Sequence, residues 1–126
     1  MPSSIHWLLK PGGHLPMSFE PPWYSPVGAH LRSICAWPWL QLFFSEEALL
    51  RARARFRSDG AKRFSEIEGG LNQMSVSRFE RLSKNSGFRI EQLDYRCSCS
   101  LNLLGRIPVL RELFISEVHL VARKQL

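Results

Sequence analysis

Leu8-Leu9-Lys10-Pro11-Gly12-Gly13-His14-Leu15, near the start of the chain, decides how the rest is read. Pro11 ends any helix that precedes it, Gly12 and Gly13 permit the backbone angles of a tight turn, and the apolar residues beyond them enter a strand. The stretch is a helix-to-strand corner. Upstream, Met1 to Lys10 reads as the tail of a helix or an extended lead-in, with Ile5, Trp7, Leu8 and Leu9 needing a surface to cover. Downstream, His14 to Phe19 reads as a short strand containing Pro16, which cannot donate to a ladder and is normally confined to edges and strand starts.

The corner opens a chain of ordinary globular composition: 126 residues, 44% hydrophobic and 22% charged, enough for one core and at most one domain. A net charge of +6 permits an acidic partner without identifying one. Much of the excess is local, in Arg51, Arg53, Arg55, Arg57, Lys62 and Arg63, which a solvated basic helix would explain. Three cysteines and no secretory leader pattern argue for a reducing compartment, with the cytoplasm expected. Cys97 and Cys99 would share a face on a strand, but no further pair completes a zinc set, and no metal site is expected. The most apolar run, Ile34 to Phe44, is interrupted by Pro38 and Gln41 and falls short of the roughly 20 residues a membrane span needs.

After the first strand, Glu20 to Gly70 is too long for a simple connection and has the composition of a structured insertion. It opens with the stiff, turn-forming Pro21-Pro22-Trp23-Tyr24-Ser25-Pro26. Ser45 can cap a helix whose first turn carries Glu46 and Glu47, the charge its positive end favours. The spacing predicts that helix to about Arg57, with Leu49, Ala52 and Phe56 as its packing stripe and Arg51 and Arg55 on another face.

The remainder reads helix, strand, loop, strand. Ser75 or Ser77 can cap a helix through Asn85, Ser77-x-x-Glu80 has capping-box spacing, and Val76, Phe79 and Leu82 form the expected buried stripe. Gly87 ends it, and Phe88, Ile90, Leu93 and Tyr95 start a strand whose phase slips by one residue, which predicts a bulge near Glu91 or Gln92. Leu101 to Phe114 reads as a loop with a short helical turn. Ile115, Val118, Leu120 and Ala122 then carry the last strand, with Glu117, His119 and Val121 on its other face.

The Lys10-Pro11-Gly12-Gly13 corner, the Ser75 to Ser86 helix, the Ser86-Gly87-Phe88 turn into a strand and the terminal Val121-Ala122-Arg123-Lys124 together resemble the class I S-adenosylmethionine-dependent methyltransferases over essentially the whole chain. The insertion resembles a bacterial-type subgroup, the type 11 methyltransferases, through Pro21 to Pro26, Gly28-Ala29-His30-Leu31, and Pro38-Trp39 before Leu42-Phe43-Phe44-Ser45-Glu46. In that family the corner leads into the fifth strand. The resemblance implies an α/β fold: the C-terminal part of a Rossmann-like sheet, about three strands with an antiparallel last pair, carrying a helical, aromatic-rich insertion. Residues 1–126 then form a partial methyltransferase domain, with a lid over about 20–70 and a helix-strand-strand closure over about 75–124.

A class I enzyme holds its cofactor with a Gly-rich turn after the first strand and an acidic residue after the second. The glycines here give no G-x-G-x-G spacing after an apolar strand, so no cofactor-binding residues are expected and S-adenosylmethionine belongs to the full-length family only. The resemblance places the missing strands before Met1, with a small-molecule substrate in the complete enzyme and no activity for this chain alone. A missing N-terminal half is an expected partner, and the three strands should leave one sheet edge exposed. Ligands of open α/β sheets bind beyond the carboxyl ends of the strands, so Trp23, Tyr24, Trp37 and Trp39 are candidate substrate-lining residues and His30 a candidate general base. The competing reading makes those aromatics the insertion's own core and His30 a capping or structural residue. The alternative functions are a noncatalytic partner subunit, or a basic-aromatic module docking Arg51 to Arg63 and Trp37 to Phe44 on an anionic lipid or nucleic-acid surface; against docking, no nucleic-acid fold is recognised and a solvated basic face explains the arginines.

Overall fold

The computed structural model describes residues 2–67, 71–98, 103 and 106–125. Met1, Gly70, Cys99 and Leu101, all used in the sequence reading, lie outside them. The fold mixes helices with one three-stranded antiparallel sheet built from β1 (His14–Phe19), β2 (Phe88–Cys97) and β3 (Ile115–Lys124). The helices are α1 (Pro2–Leu8), α2 (Leu40–Phe43), α3 (Glu46–Arg53), α4 (Val76–Lys84) and α5 (Arg111–Phe114), with one turn of 3-10 helix at Phe64–Glu66.

The sheet order is β1-β3-β2. Both outer strands are antiparallel to β3, so β1 and β2 run parallel to each other with the last strand between them. Both therefore present an unpaired outer edge among the described residues, where the sequence led us to expect one. The register aligns Leu15, Met17 and Phe19 of β1 with Ala122, Leu120 and Val118 of β3, and Ile90, Leu93 and Tyr95 of β2 with the same three residues. The ladder shifts between Ile90 and Gln92, leaving Glu91 as the extra residue of the bulge that the phase slip required.

One face of the sheet is covered and the other is polar. Ile5 and Leu9, from α1 and its exit, pack with Leu120, Ala122 and Phe88, while Val76 and Phe79 of α4 pack with Ile115, Val118, Leu93 and Tyr95. Phe19 and Phe79 stack with ring centroids 5.0 Å apart. The reverse face carries charged pairs: Glu91 lies 3.0 Å from His14 and 3.6 Å from Arg123, and Glu117 lies 3.1 Å from His119 and 3.6 Å from Arg96. Trp7 of α1 points away from the core, 86% exposed, with Leu8 beside it.

The opening corner is sewn to the end of the last strand. Gly12 has φ of +75°, and its N–H donates to the Lys124 carbonyl at 3.1 Å, while the Lys124 N–H donates to the Gly13 carbonyl at 2.9 Å. The Lys124 ammonium donates to the carbonyls of His6 and Leu9 at 2.6 and 2.8 Å, satisfying acceptors that the end of α1 leaves free. Ladder alternation from that bond turns the backbone groups of Leu15, Met17 and Phe19 toward β3 and those of His14, Pro16 and Ser18 outward. Pro16 thus has its missing N–H at the outer edge, where β3 loses no bond.

Three local expectations are corrected. Ser75, one of the two expected caps, serves α4, accepting from the Arg78 N–H at 3.2 Å, but the expected capping box of Ser77 and Glu80 does not form. The carboxylate of Glu112, in α5, instead accepts from Val76 N–H at 2.9 Å and Ser77 N–H at 2.7 Å, so a distant residue supplies what a local one was expected to supply. Leu82 is 45% exposed while Ser83 is buried, because α4 lies on the sheet through Val76, Phe79 and Ser83. Ser45 caps α3 as expected, but the helix stops at Arg53, where Asp59 takes the Arg53 guanidinium at 2.6 Å and the following turns tighten. Its packing residues are Leu49 and Leu50; Ala52 is exposed and Phe56 is 67% exposed, because Leu31, Leu40 and Phe64 lie on the other side of the helix.

Glu80 joins α4, β2 and α5. It accepts from the Tyr95 hydroxyl and, at 2.8 Å, from Arg111. Burial opposes its charge, but the two donors outweigh burial and hold its pKa below the ordinary glutamate value. Burial first, and then the carboxylate it faces, push the Tyr95 hydroxyl well above its ordinary value. A depressed carboxylate pKa contributes stability that is present above the unfolded-state value and lost as pH falls through the folded-state value. Glu80→Gln should therefore lower unfolding free energy by about 1–2 kcal/mol at neutral pH. Urea melts of both proteins should converge as the pH drops below the ordinary glutamate range, since protonation then removes the same charge from the parent.

Candidate functional site

The insertion has a core of its own. Ala29, Leu31, Leu40, Leu49, Leu50 and Phe64 are buried together, with Trp23, Ile34, Ile67 and Leu71 packed against them. Its first turn, Pro22 to Gly28, is held from both sides. The Gln41 amide donates to the carbonyls of Trp23 and Ser25 at 2.7 and 2.8 Å, and the Trp23 N–H donates to the Met74 carbonyl at 2.8 Å. Gly28 fits against this turn only because it lacks a side chain: a Cβ there would stand 1.9 Å from the Trp23 carbonyl oxygen.

This construction leaves a cleft of about 350 Å³ at the carboxyl end of β1. Ser18, Phe19, Glu20 and Pro21 form one wall as the chain leaves the strand, across a cis Glu20–Pro21 peptide. Trp23, Gly28 and His30 form a second, and Leu71 to Met74 a third. Trp23 is both core and wall, packing edge-on to Phe64 with centroids 5.2 Å apart. His30 sits at a left-handed backbone position, φ 54°, with its N–H donated to the Val27 carbonyl at 3.0 Å. Partial burial lowers the pKa of its imidazole, which leaves the ring neutral near pH 7 and able to accept a proton.

The remaining aromatic candidates go elsewhere. Trp37 and Trp39, with Pro38, Phe43 and Phe44, line a separate open cleft of about 530 Å³. Trp39 is fixed there: its indole N–H donates to the Leu113 carbonyl at 3.3 Å and its ring meets Phe114 edge-on at 5.9 Å. Tyr24 is exposed and lines neither cleft. The structure thus brings Trp23 and His30 together on one cleft and places Trp37 and Trp39 on another that shares no lining residue with it. Sequence reasoning missed Gln41, treated as a break in an apolar run, and the floor residues Asn72, Gln73 and Met74.

No protein-family model matches the chain, and neither a curated protein nor a solved structure matches it.

Among the described glycines, Gly12, Gly13 and Gly87 lead from helices into strands, and Gly28 and Gly60 lie in loops. Among the described residues no group of histidine, cysteine or acidic side chains could hold a metal ion, and no helix is long and apolar enough to cross a membrane. Cys35 is exposed and Cys97 half-buried, and neither is in a disulfide.

Two outcomes test this geometry. Gly28→Ala should lower stability by about 3 kcal/mol, because the clash is with backbone that Gln41 and Met74 hold in place; thermal unfolding measures it. The His30 ring should titrate below ordinary histidine in an NMR pH series. Because the unfolded chain then takes up the proton first, His30 should lower stability as pH falls through the ordinary histidine range, and His30→Gln should remove that increment.

Proposed function

We propose that this chain is the substrate-side part of a class I S-adenosylmethionine-dependent methyltransferase, binding the methyl acceptor while a cofactor-binding unit is supplied by residues other than those described. The observation that carries the reading is the cleft at the carboxyl end of β1, walled by Trp23 and His30. In open α/β sheets that end is where ligands bind. The sheet supports it as well: β1 and β2 are mutually parallel and joined through α4, a β-α-β order, and the last strand is antiparallel to both. The resemblance carried by Lys10 to Gly13, Gly87-Phe88 and the closing strand asks for an antiparallel last pair, and β2 and β3 form one.

In this reading the mixed lining of the cleft takes a planar acceptor with a polar substituent. The indole of Trp23 offers an apolar surface, Ser18, Asn72 and Gln73 offer hydrogen bonds, and the neutral His30 imidazole takes the proton released as the acceptor is methylated. Positioning and deprotonation are the two contributions this side of such an enzyme makes.

The test is a pair of NMR titrations of the chain, one with simple phenols and aromatic amines and one with S-adenosylmethionine. Acceptor-type compounds should shift the Trp23 indole and His30 ring signals together, and S-adenosylmethionine should shift nothing saturably. Saturable micromolar binding of S-adenosylmethionine would overturn the division of labour. Silence of both Trp23 and His30 toward every aromatic compound would overturn the substrate-side role.

A further inference from the structure

The second cleft is built unlike the first. Within eight consecutive residues, Trp37 is 71% exposed, Phe43 76% exposed, and Leu42 and Phe44 nearly half exposed. Trp37, Phe43 and Phe44 line the open cleft together with Pro38 and Trp39, and most of what lines it is carbon. Contiguous exposure of this kind marks an interaction site, because water is excluded from it only when something else covers it.

The surface is held in shape before any partner arrives. Trp39 adopts a left-handed backbone conformation, φ 57°, which costs about 1 kcal/mol or more for a bulky residue. Its N–H donates to the Pro26 carbonyl at 2.8 Å, and its ring and indole N–H are fixed on Phe114 and Leu113. Its neighbours Trp37, Phe43 and Phe44 are held out, although the insertion's core lies directly behind them.

Charge selects the partner. Arg32 shares a wall with Trp37. In the same insertion Arg55, Arg57, Lys62 and Arg63 are exposed, and no carboxylate pairs with their side chains among the described residues, whereas Arg51 is paired with Glu47 and Arg53 with Asp59. Tryptophan and phenylalanine, with Arg32 against Trp37 and further exposed arginines in the same insertion, suit the boundary of an anionic bilayer, where rings lie at the headgroup level and guanidinium groups meet lipid phosphates. Single-stranded nucleic acid would instead ask for a charged groove tracking the aromatics, and the Trp37 to Phe44 ridge carries no cation along its own length.

We propose that the Trp37–Phe44 ridge docks the protein on anionic phospholipid membranes, the aromatics entering the interface and the arginines of the insertion meeting the headgroups. This surface is distinct from the Trp23 and His30 cleft and does not depend on methyl transfer.

The experiment is vesicle co-sedimentation of the chain with phosphatidylcholine alone and with phosphatidylcholine mixed with phosphatidylglycerol, at low and high salt, with tryptophan emission recorded alongside. Binding should require phosphatidylglycerol, weaken with salt and shift emission to the blue. Trp37→Ser combined with Phe43→Ser, both at exposed positions, should weaken binding about 10-fold or more while leaving the thermal midpoint unchanged. Arg55→Gln combined with Arg57→Gln should weaken it about 10-fold through charge alone. Undiminished binding by the aromatic variant, equal binding to neutral vesicles, self-association in place of vesicle binding, or tight single-stranded RNA binding with no binding to vesicles would each overturn the proposal.

Discussion

The last strand lies in the middle of the sheet, and the rest of the molecule depends on that placement. Ile115, Val118, Leu120 and Ala122 of β3 are essentially fully buried, and they join β1 on one side to β2 on the other. Without β3 the outer strands have no ladder between them, and α1 and α4 have no shared surface to cover. The same strand ends on Lys124, whose backbone closes the Gly12-Gly13 corner and whose ammonium caps α1. Pairings of this sequence separation impose loop-closure entropy before contacts repay it, and the ladder that joins β1 to β2 exists only with β3 in place.

The insertion is fastened to this frame at few points. Trp23 is tied to Met74, and Trp39 to Leu113 and Phe114, while the insertion's buried residues pack among themselves. A unit with its own core can keep a cleft open at its border with the sheet, because its stability does not require the border to collapse. The first cleft is such a border, and the aromatic ridge is the outer face of the same unit. The proposed acceptor site and the proposed membrane surface therefore share a scaffold but no wall.

How far the site was legible in the sequence varies residue by residue. Trp23 and His30 were legible because a segment that follows a strand in an open α/β sheet lies over its carboxyl end, and both reach the same cleft. Trp37 and Trp39 drew attention for the same compositional reason, but composition does not say which side of a small core a tryptophan occupies. Gln41 was illegible, since its amide matters only through the carbonyls of Trp23 and Ser25, which it reaches by folding back over many residues. Glu112 was hidden likewise: it caps a helix that begins far upstream of it.

The sequence by itself determined what neighbouring residues decide together. The Pro11-Gly12-Gly13 corner, the Ser45 cap, the alternation of β3 and the bulge at Glu91 all follow from backbone angles, short-range hydrogen bonds and a two-residue period. Only the tertiary structure decided that β3 stands between β1 and β2, that Pro16 faces an outer edge, that Glu80 meets Tyr95 and Arg111 instead of closing its own helix, and that the tryptophans divide between two clefts. Those outcomes rest on burial and charge pairing between residues far apart in the chain. No local preference records which distant surface a side chain will meet.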